Sequence, residues 1–445
     1  MALRITVIGT GYLGATHAAA MAELGFEVLG LDVVPEKIEM LAAGRVPMYE
    51  PGLEELLHQH VAGIPGSTGR LRFTMDWAEV GEFGDVHFVC TNTPQKHGEY
   101  ACDMSYVNSA FASLAPHLKS DALVVGKSTV PVGSAARLKQ LLAEQAPEGV
   151  ELAWNPEFLR EGFAVQDTLH PDRLVAGVES ERAEKILREV YATPIAEGSP
   201  FVVTDFPTAE LVKTAANSFL ATKISFINAM AEVCEAADGD VVKLAEAIGY
   251  DERIGPKFLR AGIGFGGGCL PKDIRAFMAR AGELGADQAL TFLREVDSIN
   301  MRRRGHMVEL AREALGDAGF LGRRVAVLGA TFKPDSDDVR DSPALNVAGQ
   351  IHLQGGQVTV YDPKGMANAR RVFPTLGYAD SALDAVRGAD VVLHLTEWRE
   401  FRDLDPAELG AVVARKLILD GRNALDAAQW REAGWSFRAM GRPRA

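Results

Sequence analysis

Gly9, Gly11 and Gly14 fall in the spacing GxGxxG directly after the apolar run that ends at Ile8, with Tyr12 and Leu13 between them. Such a turn lets a pyrophosphate approach a helix N-terminus, where free N–H groups and the helix dipole favour an anion. Asp32 closes the next apolar run. A carboxylate there accepts hydrogen bonds from a ribose 2′-OH and repels a 2′-phosphate, so NAD is expected over NADP. The alternative is a tight strand–helix turn that holds no ligand.

Four further stretches carry chemistry. Gly264-Phe265-Gly266-Gly267-Gly268-Cys269-Leu270-Pro271-Lys272-Asp273 delivers one cysteine to a glycine-rich turn. Backbone without side chains can approach a ligand closely, and the neighbouring Lys272 favours the thiolate. The alternative is a flexible loop with an idle thiol. Lys213 and Asn217 are spaced i,i+4, so a helix puts them on one face, where they could stabilise an oxyanion. Two solvated polar residues would look the same. Asn155–Gly162 sets Glu157 and Glu161 around apolar residues after an apolar run, where α/β proteins bind ligands. A helix start with acidic first-turn residues is the alternative. Lys127–Gly133 also follows an apolar run and carries Thr129, although an ordinary hydroxyl-rich loop would read alike.

The elements that must position these residues follow from the apolar pattern. Strands are expected at 4–8, 26–31, 86–90, 123–126 and 152–154, with helical patterns between them, which implies a parallel sheet covered on both faces. From Thr208 to Ala237 there is no Gly or Pro, and Asp205 and Pro207 stand where a helix would start. One long helix is expected there, followed by helices at 240–247 and 287–315. Strands resume at 325–328, 357–361, 391–395 and 416–419. The fold class is α/β: two Rossmann-like α/β domains joined by a central helical domain with one long helix. Expected boundaries are 1–204 for NAD binding, 205–315 for the helical domain with the Cys269 loop, and 316–445 for the second α/β domain.

Composition excludes other classes. With 445 residues the chain can bury large cores without disulfides. Lys plus Arg number 46 against 60 Asp plus Glu, a net charge of −14, which argues against nucleic acid or anionic lipid as the main partner. Cys90, Cys102, Cys234 and Cys269 show no zinc-ligand spacing, so no metal is expected, and scattered thiols suit a reducing compartment. Cys90 and Cys234 fall on core-like positions. No apolar run reaches the length of a membrane span, and the dinucleotide motif occupies the N-terminal stretch that could pass for a signal peptide. The cytoplasm is the expected location.

The motifs occur in the order found in the UDP-glucose/GDP-mannose dehydrogenase family. The shared pieces are GTGYLG, YEPGL at Tyr49–Leu53, TNTP at Thr91–Pro94, STVPVG, NPEFLREG, AELVKTAAN at Ala209–Asn217, GFGGGCLPKD, and ATFKPDSDDVRDSP at Ala330–Pro343. From Ile5 to Arg422 the sequence resembles that family, and most of all its bacterial members that act on UDP-glucose. The resemblance implies a four-electron oxidation of a nucleotide sugar at C6 with two NAD per turnover. An aldehyde, a thiohemiacetal on Cys269 and a thioester would precede release of the carboxylate. It also implies that Lys213 and Asn217 hold the C6 oxygen, that Asp273 organises Lys213 and a water, and that Glu157 assists thioester hydrolysis with Thr129. Besides the glycine turn, Asp32, Lys37, Thr93, Thr129, Glu161, Lys272 and Arg340 match cofactor positions. Phe158, Leu159, Phe258, Arg260, Phe265, Gly266 and Lys333 match substrate positions. Arg253 matches a residue that reaches the substrate across a homodimer interface, and Arg422 a substrate-side cation. Gly268 departs from the Ser or Tyr that many members carry. GDP-mannose and UDP-N-acetyl-mannosamine are the alternative substrates, and a dinucleotide-binding sensor is the non-enzymatic alternative.

Overall fold

The computed structural model describes residues 3–317 and 319–443. It divides into two compact units. The first runs through Ala216 and includes Arg275–Leu284; the second comprises Asn217–Ile274 and the chain from Gly285 onward.

The first unit is built on an eight-stranded sheet. Its strands are β1 (Arg4–Ile8), β2 (Glu27–Leu31), β3 (Leu71–Thr74), β4 (Val86–Val89), β5 (Leu123–Gly126), β6 (Glu151–Trp154), β7 (Leu174–Gly177) and β8 (Phe201–Thr204). The spatial order is β3-β2-β1-β4-β5-β6-β7-β8. Ile5 of β1 pairs with Val28 of β2 on one side and Val86 of β4 on the other. Strand order therefore reverses between β1 and β4, which opens a crevice at the carboxyl ends of those two strands. Ile5, Val7 and Ile8 are buried, as are Phe88 and Val125. Strands covered on both faces need this near-continuous apolar character. The sheet departs from the expected all-parallel plan at one place, since β6 meets β7 antiparallel through Trp154 and Gly177. The chain between them reverses direction without a crossover, so β7 and β8 run opposite to the rest.

The expected long helix spans Phe206–Ala237. Thr208 N–H donates to Asp205 Oδ1 at 2.7 Å, which caps its start. At 32 residues it is about 48 Å long. The boundary between the two units falls within it, between Ala216 and Asn217.

The second unit carries β9 (Arg324–Leu328), β10 (Gln357–Tyr361), β11 (Gly377–Tyr378), β12 (Val391–His394), β13 (Leu417–Asp420) and β14 (Ser436–Ala439). All pairs are parallel, in the order β11-β10-β9-β12-β13-β14. Both expected α/β sheets are thus present, with a helical region between them in the chain. That region includes the helices Val241–Gly249, Leu270–Glu283 and Thr291–Leu315. Leu270–Glu283 was not announced by the apolar pattern, because a glycine run followed by Pro271 reads as loop.

Candidate active site

The glycine turn between β1 and the helix Tyr12–Glu23 has the geometry of an anion cradle. Gly9 has φ +87°, and its N–H donates to the Leu31 carbonyl at 2.7 Å. A Cβ at Gly14 would lie 2.0 Å from the Gly9 carbonyl oxygen, so only glycine lets helix and turn close. A Cβ at Gly11 would meet no protein atom nearer than 3.8 Å, at Asn92 Oδ1. Nothing in the protein demands glycine there; a ligand brought against the backbone would. Gly11 is also the N-cap of the helix and makes no side-chain cap, which leaves first-turn N–H groups for an anion. Asp32, just past β2, is nearly buried. It accepts from Thr10 N–H at 3.0 Å, from Val34 N–H at 3.1 Å and from Lys37 Nζ at 3.3 Å. One open cleft joins Gly9, Gly11, Asp32, Lys37 and Thr91. Thr93 is buried a little further along the segment after β4. The residues fit a dinucleotide with a free 2′-OH.

The Asn155–Gly162 segment after β6 is held from several sides. Glu157 accepts from Leu159 N–H at 2.6 Å and pairs with Lys213 Nζ at 2.9 Å. Lys213 is 4 % exposed, so the reading of a solvated lysine fails. Burial pushes the Glu157 carboxyl up. Lys213, the Leu159 N–H and Lys127 outweigh it and hold the group below the usual glutamate value. Phe158 carries the Arg173 guanidinium on its ring at 3.8 Å. Further along, Gly162 N–H donates to Glu50 Oε2 at 2.6 Å and to Tyr12 Oη at 2.8 Å, and Ala164 N–H donates to Glu50 Oε1 at 2.7 Å. Tyr12 in turn donates to Glu50. Glu50, from the YEPGL piece, thus ties the segment that bears Glu161 to the glycine-turn helix. Thr129 is half-buried, in the loop before the helix Ser134–Gln145, whose N-terminal Gly133 and Ala135 N–H groups are accepted by buried Glu210.

The second unit brings Asn217, Asp273, Lys272 and Cys269 into one neighbourhood. Asn217 is 8 % exposed, and its Nδ2 donates to Asp273 Oδ2 at 2.6 Å. Lys272 Nζ reaches Asp273 Oδ1 at 2.5 Å. The Cys269 carbonyl accepts from Asp273 N–H at 2.9 Å. Cys269 is therefore the N-cap of Leu270–Glu283 rather than a residue of a free turn, and its exposed side chain stands at the helix end that stabilises negative charge. Cys90 and Cys234 are buried, as their positions suggested.

The glycine-rich loop before Cys269 is fixed by residues that spacing alone did not reveal. Buried Asn300 takes Phe265 N–H on Oδ1 at 2.7 Å and gives Nδ2 to the Phe265 carbonyl at 3.0 Å. Arg304 donates to the Phe265 carbonyl at 3.1 Å and pairs with Asp341 at 2.7 Å. Gly267 N–H donates to the Arg340 carbonyl at 2.9 Å. A Cβ at Gly266 would meet the Asp341 carbonyl oxygen at 2.3 Å, and one at Gly268 would meet the Arg340 guanidinium at 2.2 Å. The clash at Gly268 is with the mobile end of a side chain, so a Ser or Tyr there needs only a shift of Arg340. Arg422 donates to the carbonyls of Leu395 at 2.8 Å, Gly264 at 2.8 Å and Phe332 at 3.1 Å. Its guanidinium brackets three loops and lies 3.4 Å from Glu397. Lys333 lies over the Phe332 ring, and Arg260 sits 3.7 Å from Glu397. Arg253 pairs with Asp251 and is largely exposed, and Phe258, at φ +64°, is exposed on the same segment.

Fold and site define a dinucleotide-dependent oxidoreductase with a candidate thiol nucleophile. The NAD binding domain of the UDP-glucose/GDP-mannose dehydrogenase family matches residues 3–195, its central domain residues 207–302 and its UDP binding domain residues 326–427. The chain belongs to that family and is an NAD-dependent dehydrogenase. It is 39 % identical over 446 residues to a UDP-glucose 6-dehydrogenase of Rhizobium meliloti (strain 1021), covering 99 % of this chain and all of that one. It is 40 % identical over 441 residues to one of Rickettsia conorii, covering 99 % of each. The structure of a UDP-glucose dehydrogenase from Pyrobaculum islandicum matches with a TM-score of 0.90 at 37 % identity, over 99 % of this chain and 98 % of that one. A UDP-D-ManNAc dehydrogenase from Pyrococcus horikoshii matches at 0.86 and 27 %, over all of both chains.

Proposed function

We propose that this chain oxidises UDP-glucose to UDP-glucuronate, with two NAD per turnover and Cys269 as the covalent nucleophile. The observation that carries the reading is full-length identity of 37–40 % to UDP-glucose 6-dehydrogenases. NAD, when bound, supplies the hydride acceptor for both oxidations. Lys213 and Asn217 donate to the C6 oxygen as it gains negative charge. Loss of the hydroxyl proton to water and of a hydride gives the aldehyde. The Cys269 thiolate adds to that carbonyl, and the resulting thiohemiacetal loses a second hydride to become a thioester. Glu157, kept ionised by its surroundings, takes a proton from water with Thr129 placing that water. Attack on the thioester carbonyl then releases the carboxylate and restores the thiolate. Asp273 holds Asn217 and Lys272, and Phe158, Leu159 and Phe265 shape the sugar side.

A homodimer is part of the proposal. Phe219, Phe226 and Val233 are exposed at heptad spacing on the long helix, and large exposed apolar stripes mark interaction surfaces. Exposed Arg253 is then available to a partner's substrate. Four free thiols suit the cytoplasm. Among the described residues no helix is long and apolar enough to cross a membrane. The test is NADH formation with UDP-glucose, UDP-N-acetyl-mannosamine and GDP-mannose as separate substrates. UDP-glucose is expected to give the highest kcat/KM by at least tenfold; a preference for either other sugar overturns the substrate assignment.

A further inference from the structure

Beneath the Glu157 turn lies a buried ammonium that the chemistry above does not use. Lys127 follows β5, and its backbone N–H donates to the Val89 carbonyl at 2.9 Å, so it emerges at the carboxyl end of a parallel strand. Its Nζ donates to Asn155 Oδ1 at 2.8 Å and to Tyr191 Oη at 3.2 Å. Tyr191 Oη donates to the same Asn155 oxygen at 2.6 Å, and Asn155 Nδ2 donates to the Val175 carbonyl at 2.8 Å. The rings of Phe88 and Tyr191 each stand 5.7 Å from the ammonium. All of these groups are buried. Among the described residues Lys127 touches no carboxylate, yet it lines the same pocket as Glu157.

A neutral donor could hold Asn155 equally well. Keeping a positive charge in such a place costs desolvation energy, which a nearby negative charge offsets. We propose that Lys127 is a positioning residue for Glu157: its bond to Asn155 fixes the turn that bears the carboxylate, and its charge keeps that carboxylate ionised for thioester hydrolysis. The proposal rests on the hydrolytic role given to Glu157 above.

The groups around Glu157 make the effect readable. Lys213 faces it from the long helix, Lys127 from the end of β5 and Cys90 from the end of β4. His17 comes from the helix Tyr12–Glu23, Tyr191 from the end of the helix Glu181–Val190, and Asp167, Asp172 and Arg173 from the chain before β7. Burial holds His17 neutral, pushes the Cys90 thiol up to about 12 and raises the Tyr191 phenol. Asp167 is engaged by Arg160, and Arg173 lies on Phe158. Burial also pulls Lys127 down to about 8, which leaves it protonated at neutral pH. Removing its charge raises the Glu157 pKa, so a step that needs the carboxylate fails at a higher pH.

The test is first-turnover and steady-state NADH formation from UDP-glucose between about pH 5 and 8. In Lys127→Met the first turnover is expected within about threefold of wild type, while the acid limb of kcat moves up by about one pH unit and steady-state turnover on that limb falls about tenfold. Asn155→Asp is nearly isosteric and cancels the ammonium's charge, so it is expected to move the limb the same way even if Lys127→Met does not fold. Tyr191→Phe keeps the charge and leaves the limb in place. An unmoved limb in Lys127→Met or in Asn155→Asp overturns the proposal, and so does an equal loss in first turnover and steady state. If Glu157→Gln keeps the wild-type acid limb, the hydrolytic role of Glu157 fails and the proposal falls with it, whatever Lys127 does.

Discussion

Replacing Lys213 with Met keeps the side-chain volume and deletes one charge of a buried pair. The Glu157 side chain is 13 % exposed and lies 2.9 Å from the ammonium. Without it, a carboxylate stays behind in a poorly solvated site, which costs about 3–5 kcal/mol. At roughly 2–4 °C per kcal/mol for a unit of this size, the melting temperature near neutral pH falls by about 6–20 °C. The deficit depends on pH. In the wild type Glu157 is held below its ordinary value, so the pair contributes stability above the unfolded carboxyl pKa and loses it as pH falls through the folded one. In Lys213→Met burial is less opposed and the Glu157 pKa rises. Protonation then relieves the buried charge, so the deficit narrows as pH falls towards 5. Lys213→Met/Glu157→Gln removes both charges and regains most of the stability, but none of the activity. The loss of the oxyanion donor lowers kcat by about 10²–10³ and affects KM less. Melting curves at three pH values beside steady-state kinetics measure all of this. A stability change under about 0.5 kcal/mol with wild-type kcat would refute both the pairing and the assignment.

Cys269→Ser is expected to abolish steady-state turnover and keep NAD binding by calorimetry; full turnover in that variant sinks the covalent route. If Asp32 meets the ribose 2′-OH, a 2′-phosphate against it costs about 1–3 kcal/mol, so kcat/KM should favour NAD over NADP by roughly tenfold to a hundredfold, and equal values would contradict the reading. Phe226→Glu places a charge in the exposed apolar stripe of the long helix and is expected to shift the mass measured by light scattering from two chains to one. An unchanged dimer mass would move the interface elsewhere.

The first βαβ unit was legible because three signals coincide there, a strand, glycines at fixed spacing and an acidic strand end. The long helix was legible because Thr208–Ala237 lacks breakers. Its orientation was not. Glu210, Lys213, Asn217, Ser225 and Asn228 are buried, whereas Phe219, Phe226 and Val233 are exposed. Ile227, Ala231 and Cys234 are buried on the same helix, so apolar character alone does not mark its inner face: the buried polar residues hold loops and carboxylates, while three large apolar side chains stand in solvent. The supports of the Cys269 loop were hidden for a related reason. Asn300 and Arg304 sit on Thr291–Leu315, more than 30 positions from the loop, and a charged residue in a helical pattern looks solvated until the fold buries it. The antiparallel turn into β7 left no trace in the apolar pattern, because strands of either direction read alike when both faces are covered.

The central claim is a four-electron oxidation at one carbon, and the direct measurement is the stoichiometry of NADH against sugar nucleotide consumed, with the product analysed by mass. The account predicts two NADH per UDP-glucose and UDP-glucuronate as the product. One NADH per UDP-glucose with an aldehyde product, or no NADH at all, would contradict it.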